Sequence, residues 1–179
     1  MFKKASLLAL LAVLLIGSFL VARTSGHQAI KVQSKKSEAQ RLWSSSAHAQ
    51  KGDAPFTHWD KEGKIPTSCA KCHSTPGFRD YLGVDGTAVN VVDNPAPIGT
   101  TVECAACHSD PEKGIPYDRT YAIFPSGVTV SGLGPEAMCL ECHQGRASTK
   151  AVDSSSAEYG VTAHNEPSAS LGLLNVHYG

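Results

Sequence analysis

Cys69-Ala70-Lys71-Cys72-His73, Cys104-Ala105-Ala106-Cys107-His108 and Cys139-Leu140-Glu141-Cys142-His143 are three copies of one five-residue word, and together they use all six cysteines of the chain. Positions i, i+3 and i+4 share one face of a helical turn. Two thiols so spaced can bond to the two vinyl groups along one edge of a porphyrin while the adjacent imidazole reaches the iron, and C-x-x-C-H is the attachment signature of c-type haem. CxxC alone also serves zinc ribbons and thiol redox sites. Zinc held by four cysteines, however, needs CxxC pairs in even number, and three pairs strand one. The words therefore predict three covalent haems c, with Cys69, Cys72, Cys104, Cys107, Cys139 and Cys142 forming thioethers and His73, His108 and His143 on iron. A zinc-binding module is the minor alternative.

On these motifs the chain resembles the multihaem c-type cytochromes. Ser46-Ala47-His48-Ala49, Phe56-Thr57-His58-Trp59-Asp60 and Asn175-Val176-His177-Tyr178 look like ligand-bearing segments of long environmental electron-transfer cytochromes. Cys142-His143-Gln144-Gly145-Arg146 and Gly77-Phe78-Arg79-Asp80-Tyr81-Leu82-Gly83 resemble the same group. The resemblance covers residues 46–179 and implies covalent haem, electron transfer and maturation outside the cytoplasm. Relatives of this kind continue with further CxxCH words, so it also implies either a three-haem form or the N-terminal part of a longer protein.

Each iron needs a second axial ligand, and the residue supply decides its type. Of the two methionines, Met1 opens the chain and Met138 abuts Cys139, where it cannot easily cross to the far face of its own haem. Histidine is plentiful: His48, His177, His58 and His164, taken in that order, are the candidate distal ligands, whereas His27 lies in a polar stretch with nothing to hold it on an iron. Bis-histidine ligation follows, and because methionine in place of histidine raises the potential, these centres belong at the low end for c-type haem.

Met1-Phe2-Lys3-Lys4 precedes eighteen uncharged residues, Ala5 to Ala22. A basic lead followed by an apolar run is the layout of a secretory signal, and its length also approaches that of a membrane-spanning helix. Residues 1–22 thus read as a signal peptide or an N-terminal anchor, with 5–22 as the membrane tether. Arg23, Lys31, Lys35, Lys36 and Arg41 after the run outnumber Lys3 and Lys4 before it, which for an anchor favours the opposite orientation. Export is nevertheless expected, to the periplasm or the cell surface, because haem-bearing cysteines of this type belong outside the cytosol. Residues 23–45 are polar and basic and read as a linker; residues 46–179 form the trihaem domain.

The whole chain is neutral, yet residues 45–179 hold nine Lys or Arg against fifteen acids. No clustered basic face is available for nucleic acid, and an acidic surface suits both solubility and docking to basic redox partner proteins or other multihaem subunits. Leu, Ile, Val and Phe supply only 23 of those 135 residues, below the roughly one-fifth at which a chain begins to look unable to fold by itself. Porphyrins bonded in place would provide the missing apolar mass, as metals and disulfides do in other small domains.

The expected fold is mostly irregular chain with small α-helical turns and a minor β-hairpin, organised around covalently bound haems. A helix is expected over Met138 to Arg146, a hairpin over Tyr121–Phe124 and Val128–Val130, and a short strand at Ala88–Val92. The motif period of 35 residues finds no echo outside the motifs, so a solenoid is not supported. Trp59, Phe78, Tyr81 and Tyr117 are expected against porphyrin faces or in the core. Two functions fit: an electron carrier with all irons six-coordinate, or a reductase with one open iron acting on a small nitrogen or sulfur oxyanion. The first is preferred, because distal histidines are sufficient and no CxxCK is present. Chain produced without haem is expected to be largely unfolded, giving a coil-like far-ultraviolet circular dichroism spectrum; a cooperative thermal transition in that material would contradict the reading.

Overall fold

The computed structural model describes residues 38–163, 165–172, Leu174 and His177. The leader at 1–22, the first part of the linker with His27, and His164 lie outside the described residues. The chain divides into two compact units, Met1–Gln50 and Lys51–Gly179. In the first, residues 38–44 are helical. The helix ends at the serine run, where Ser44, Ser45 and Ser46 each turn a hydroxyl back onto the carbonyl three residues earlier, at 2.8, 3.0 and 2.7 Å. Such side-chain bonds compete with the helical ladder. A single 3-10 turn, Ala47–Ala49, then carries the exposed His48. Residues 38–44 of the expected linker are therefore helical. Among the described residues no helix is long and apolar enough to cross a membrane.

The second unit runs α1 (Ala54–Thr57), β1 (Lys64–Ile65), α2 (Thr67–His73), α3 (Thr75–Tyr81), β2 (Ala96–Pro97), α4 (Cys104–Cys107), β3 (His108–Asp110), β4 (Ile115–Pro116), β5 (Tyr121–Ile123), β6 (Thr129–Ser131), α5 (Glu136–Cys142) and α6 (Thr149–Glu158). The strands form three separate antiparallel pairs, β1 with β2, β3 with β4 and β5 with β6. The expected hairpin is the third pair, with Ala122 opposite Val130. Its loop closes through Gly127, whose φ of 86° is a conformation that glycine adopts without steric cost.

Ala88–Val92 does not form a strand. Asn90 adopts φ 70° while its N–H bonds the Tyr81 carbonyl at 2.8 Å. Just beyond, the N–H groups of Asp93 and Asn94 both donate to the buried Asp80 carboxylate at 3.1 Å. The segment thus follows α3, with the Asn90 N–H on the Tyr81 carbonyl and the donors just beyond it on Asp80 instead of on a neighbouring strand.

Identical flanking words have different outcomes. Cys72-His73-Ser74-Thr75-Pro76 turns from α2 into α3: extended Ser74 donates its hydroxyl to the Ala70 carbonyl at 2.9 Å and accepts the Gly77 N–H at 3.0 Å. That hydroxyl cap, followed by Pro76 in the first turn, starts a new helix. In Cys107-His108-Ser109-Asp110-Pro111 the Ser109 hydroxyl reaches Pro116 O at 3.2 Å, and the chain enters β3.

The core is built largely from small residues. One cluster joins Phe78 and Tyr81 of α3 to Ala106 of α4 and Met138 of α5, and a second joins Ile65, Ala70 and Ala96. Phe78 and Tyr81 stack on each other with centroids 6.2 Å apart, so these two rings fill the protein core rather than lining an exposed face. Met138 is buried with them, away from any role as an axial ligand. Half-buried Tyr117 packs on the same cluster.

Gly77 sets how closely α3 approaches α2, because a Cβ there would fall 2.4 Å from the Ala70 carbonyl oxygen. Neither backbone can yield without breaking the Ser74 turn. Gly77→Ala is expected to cost about 1–3 kcal/mol, read as a lowered denaturation midpoint of the haem-loaded protein.

Candidate haem centres

Each motif lies on a helical turn. Helix α2 contains Cys69, Cys72 and His73; α4 spans Cys104–Cys107 with His108 directly after it; α5 ends at Cys142 with His143 next. All six thiols are free, with Cys104 and Cys139 exposed and the other four half-buried. Helix α5 starts two residues before the expected Met138 and stops four before Arg146. At its start Glu136 accepts the Gly134 N–H at 2.9 Å. At its end the Gln144 amide donates to the carbonyls of Glu141 and Ile123, both at 3.2 Å, occupying acceptors beside the place where the helix would continue.

His73 is the best-furnished of the motif histidines. Its ring lies 5.2 Å from that of Trp59, which in turn lies 4.8 Å from His58, and it meets the His177 ring edge-on at 5.9 Å. Burial holds the imidazole below its ordinary pKa; a bond to the Pro55 carbonyl opposes this, while His177, Arg146 and His58 reinforce it. The neutral ring is the form that binds a metal, and a bond made by one nitrogen orients the other. Two imidazoles on opposite sides of one ion, each with a metal–nitrogen bond of about 2 Å, have centres about 6 Å apart. The 5.9 Å between His73 and His177 fits that requirement.

His108 keeps a buried Nδ1 with no hydrogen-bond partner. Native interiors rarely leave such an atom alone. His143 and His58 are exposed, and His48 belongs to the first unit. Among the described residues no three His, Cys, Asp or Glu side chains converge as a metal-holding group. The fourfold donor set of structural zinc is therefore not assembled there, whereas a paired axial site asks for two imidazoles.

The variable positions of the motifs carry a contact that sequence reading missed. Glu141, the second variable residue of the third motif, is fully buried. It accepts from Tyr81 Oη at 2.8 Å, from Lys71 Nζ at 3.3 Å and from Arg119, whose Nε lies at 3.1 Å and whose Nη2 is closer still. Lys71 is the second variable residue of the first motif. The available signal was this opposite charge at equivalent positions, but nothing local announced that they meet.

Arg119 also bonds Asn90 Oδ1 at 2.9 Å and stacks over the Tyr81 and Tyr121 rings. Burial, then the Glu141 carboxylate, pushes the Tyr81 phenol well above its ordinary range, so it remains a donor. Beside this group, Cys142 Sγ lies 3.7 Å from the Lys71 carbonyl. The neighbouring Cys142 side chain draws the Cys72 thiol down to about 7, while Cys142 itself is pushed up.

The chain matches no known family, curated protein or solved structure. The centres are therefore argued on their own residues. The centres would lose a ligand in His177→Ala, so one haem in haem-loaded protein of that variant is expected to turn high-spin; visible and electron paramagnetic resonance spectra check it, and an unaltered spectrum removes the assignment.

Proposed function

We propose that this chain is an exported, low-potential electron carrier holding three covalent haems c, with the thioethers on Cys69 and Cys72, Cys104 and Cys107, and Cys139 and Cys142. The observation that carries the proposal is the repeated CxxCH word lying on a helical turn in all three places; the His177 ring, 5.9 Å from that of the first motif's histidine, lends support as a separation compatible with paired ligation. When bound, haem supplies one-electron exchange between ferric and ferrous iron.

The protein's part is attachment, orientation and electrostatics. His73, His108 and His143 serve as proximal ligands. His177 would supply the second imidazole at the first centre, and two of His48, His58 and His164 would supply those of the other two centres. Trp59 packs beside His73 and restricts the ring's rotation. Because Met138 is buried in the core, no thioether side chain within the domain offers the higher-potential alternative. The acidic balance of residues 45–179 favours redox partners with basic docking faces. The leader would deliver the chain beyond the cytoplasm, where it acts free or tethered.

Pyridine haemochrome analysis with intact mass is expected to count three haems and to show whether the leader has been removed. Carbon monoxide is expected to leave the reduced low-spin spectrum unchanged. A high-spin fraction that binds it would transfer the assignment to a reductase with one open iron.

A further inference from the structure

The first and third motifs are joined across the fold although Lys71 and Glu141 stand 70 residues apart in sequence. Two contacts converge there: the Lys71–Glu141 ion pair at 3.3 Å and the approach of Cys142 Sγ to the Lys71 carbonyl at 3.7 Å. In the reading proposed above, Cys142 is an attachment atom of the third haem, and Lys71 lies between the two attachment cysteines of the first. The second motif joins the group from the other side: Ala106 packs with Met138 in the core, and Cys107 and Cys142 both pack against that cluster.

Resting on that three-haem reading, we infer that the haems of the first and third motifs form the closest pair, so that the third-motif haem, and not the second, is the central one of the three. Sequence order and spatial order therefore differ. Lys71 and Glu141 are positioning residues for this pair. Their ion pair lies between the two attachment turns, and Tyr81 and Arg119 fix the carboxylate from the remaining sides. Both haems are attached beside the same buried charges, which couples their potentials to that cluster.

Two-dimensional proton NMR of the fully reduced, haem-loaded protein reads the order directly, through cross-relaxation between substituents of different haems. Strong cross-peaks are expected between the first and third haems and between the third and second. If the strongest set links the first to the second, or if the first and third share none, the inference is overturned. Haem counting keeps the two propositions apart: fewer than three haems removes the functional reading, while three haems with the wrong contacts remove only the spatial order.

Lys71→Gln is the milder variant, since Glu141 keeps Arg119 and Tyr81. Loss of that cation is expected to lower the potentials of the first and third haems and to leave the second unmoved. An equal shift of all three, or of none, overturns the positioning role.

Discussion

A carboxylate with no exposed surface needs strong compensation, and Glu141 receives it from three side chains. Removing one partner from a buried pair of this kind typically costs 3–5 kcal/mol, because the remaining charge is left uncompensated. The need for partners makes the interaction organising as well as cohesive. Arg119 must come from the segment before β5, Tyr81 from α3 and Lys71 from α2, so one acid fixes where four parts of the chain lie. Arg119 is itself held by two aromatic rings and by Asn90, and Asn90 is held by the backbone of Tyr81.

Around this polar centre the apolar packing is thin. Among the described residues, half of the buried hydrophobic positions are alanines: Ala70, Ala96, Ala106, Ala122 and Ala137. Small side chains allow helices to approach closely, as at Gly77 over Ala70, but each contributes little buried area. That economy suits a chain whose main apolar mass would be cofactor, and it accounts for a polypeptide that orders its attachment turns with so few large side chains. The polar network and the close helix contact then provide geometric specificity where bulk is lacking.

The parts of the fold legible in the sequence are the local ones. The helical turns on the motifs follow from the spacing of Cys69, Cys72 and His73, and the β5–β6 hairpin follows from two short β-prone runs around Pro125-Ser126-Gly127. The strand expected at Ala88–Val92 failed because Asp80, remote in sequence, takes its neighbours' backbone donors. The matching Cys-His-Ser words diverge for the same reason: Ser74 finds α2 beneath it, and Ser109 finds β4 beside it. Of the candidate site, the proposed attachment positions rest on one repeated word, and the structure places each copy on a helical turn. The approach of His177 to His73 depended on the return of the far end of the chain, which periodicity does not encode.

The short strand pairs have a further implication for how such molecules behave when crowded. Pro97 occupies β2 opposite Lys64, and Pro116 occupies β4 opposite His108. Proline offers no N–H, and strands of two residues present almost no free ladder. Neighbouring copies therefore find little backbone on which to extend either pair. Were the chain the carrier proposed above, these two pairs would leave docking to side-chain charge rather than to strand addition.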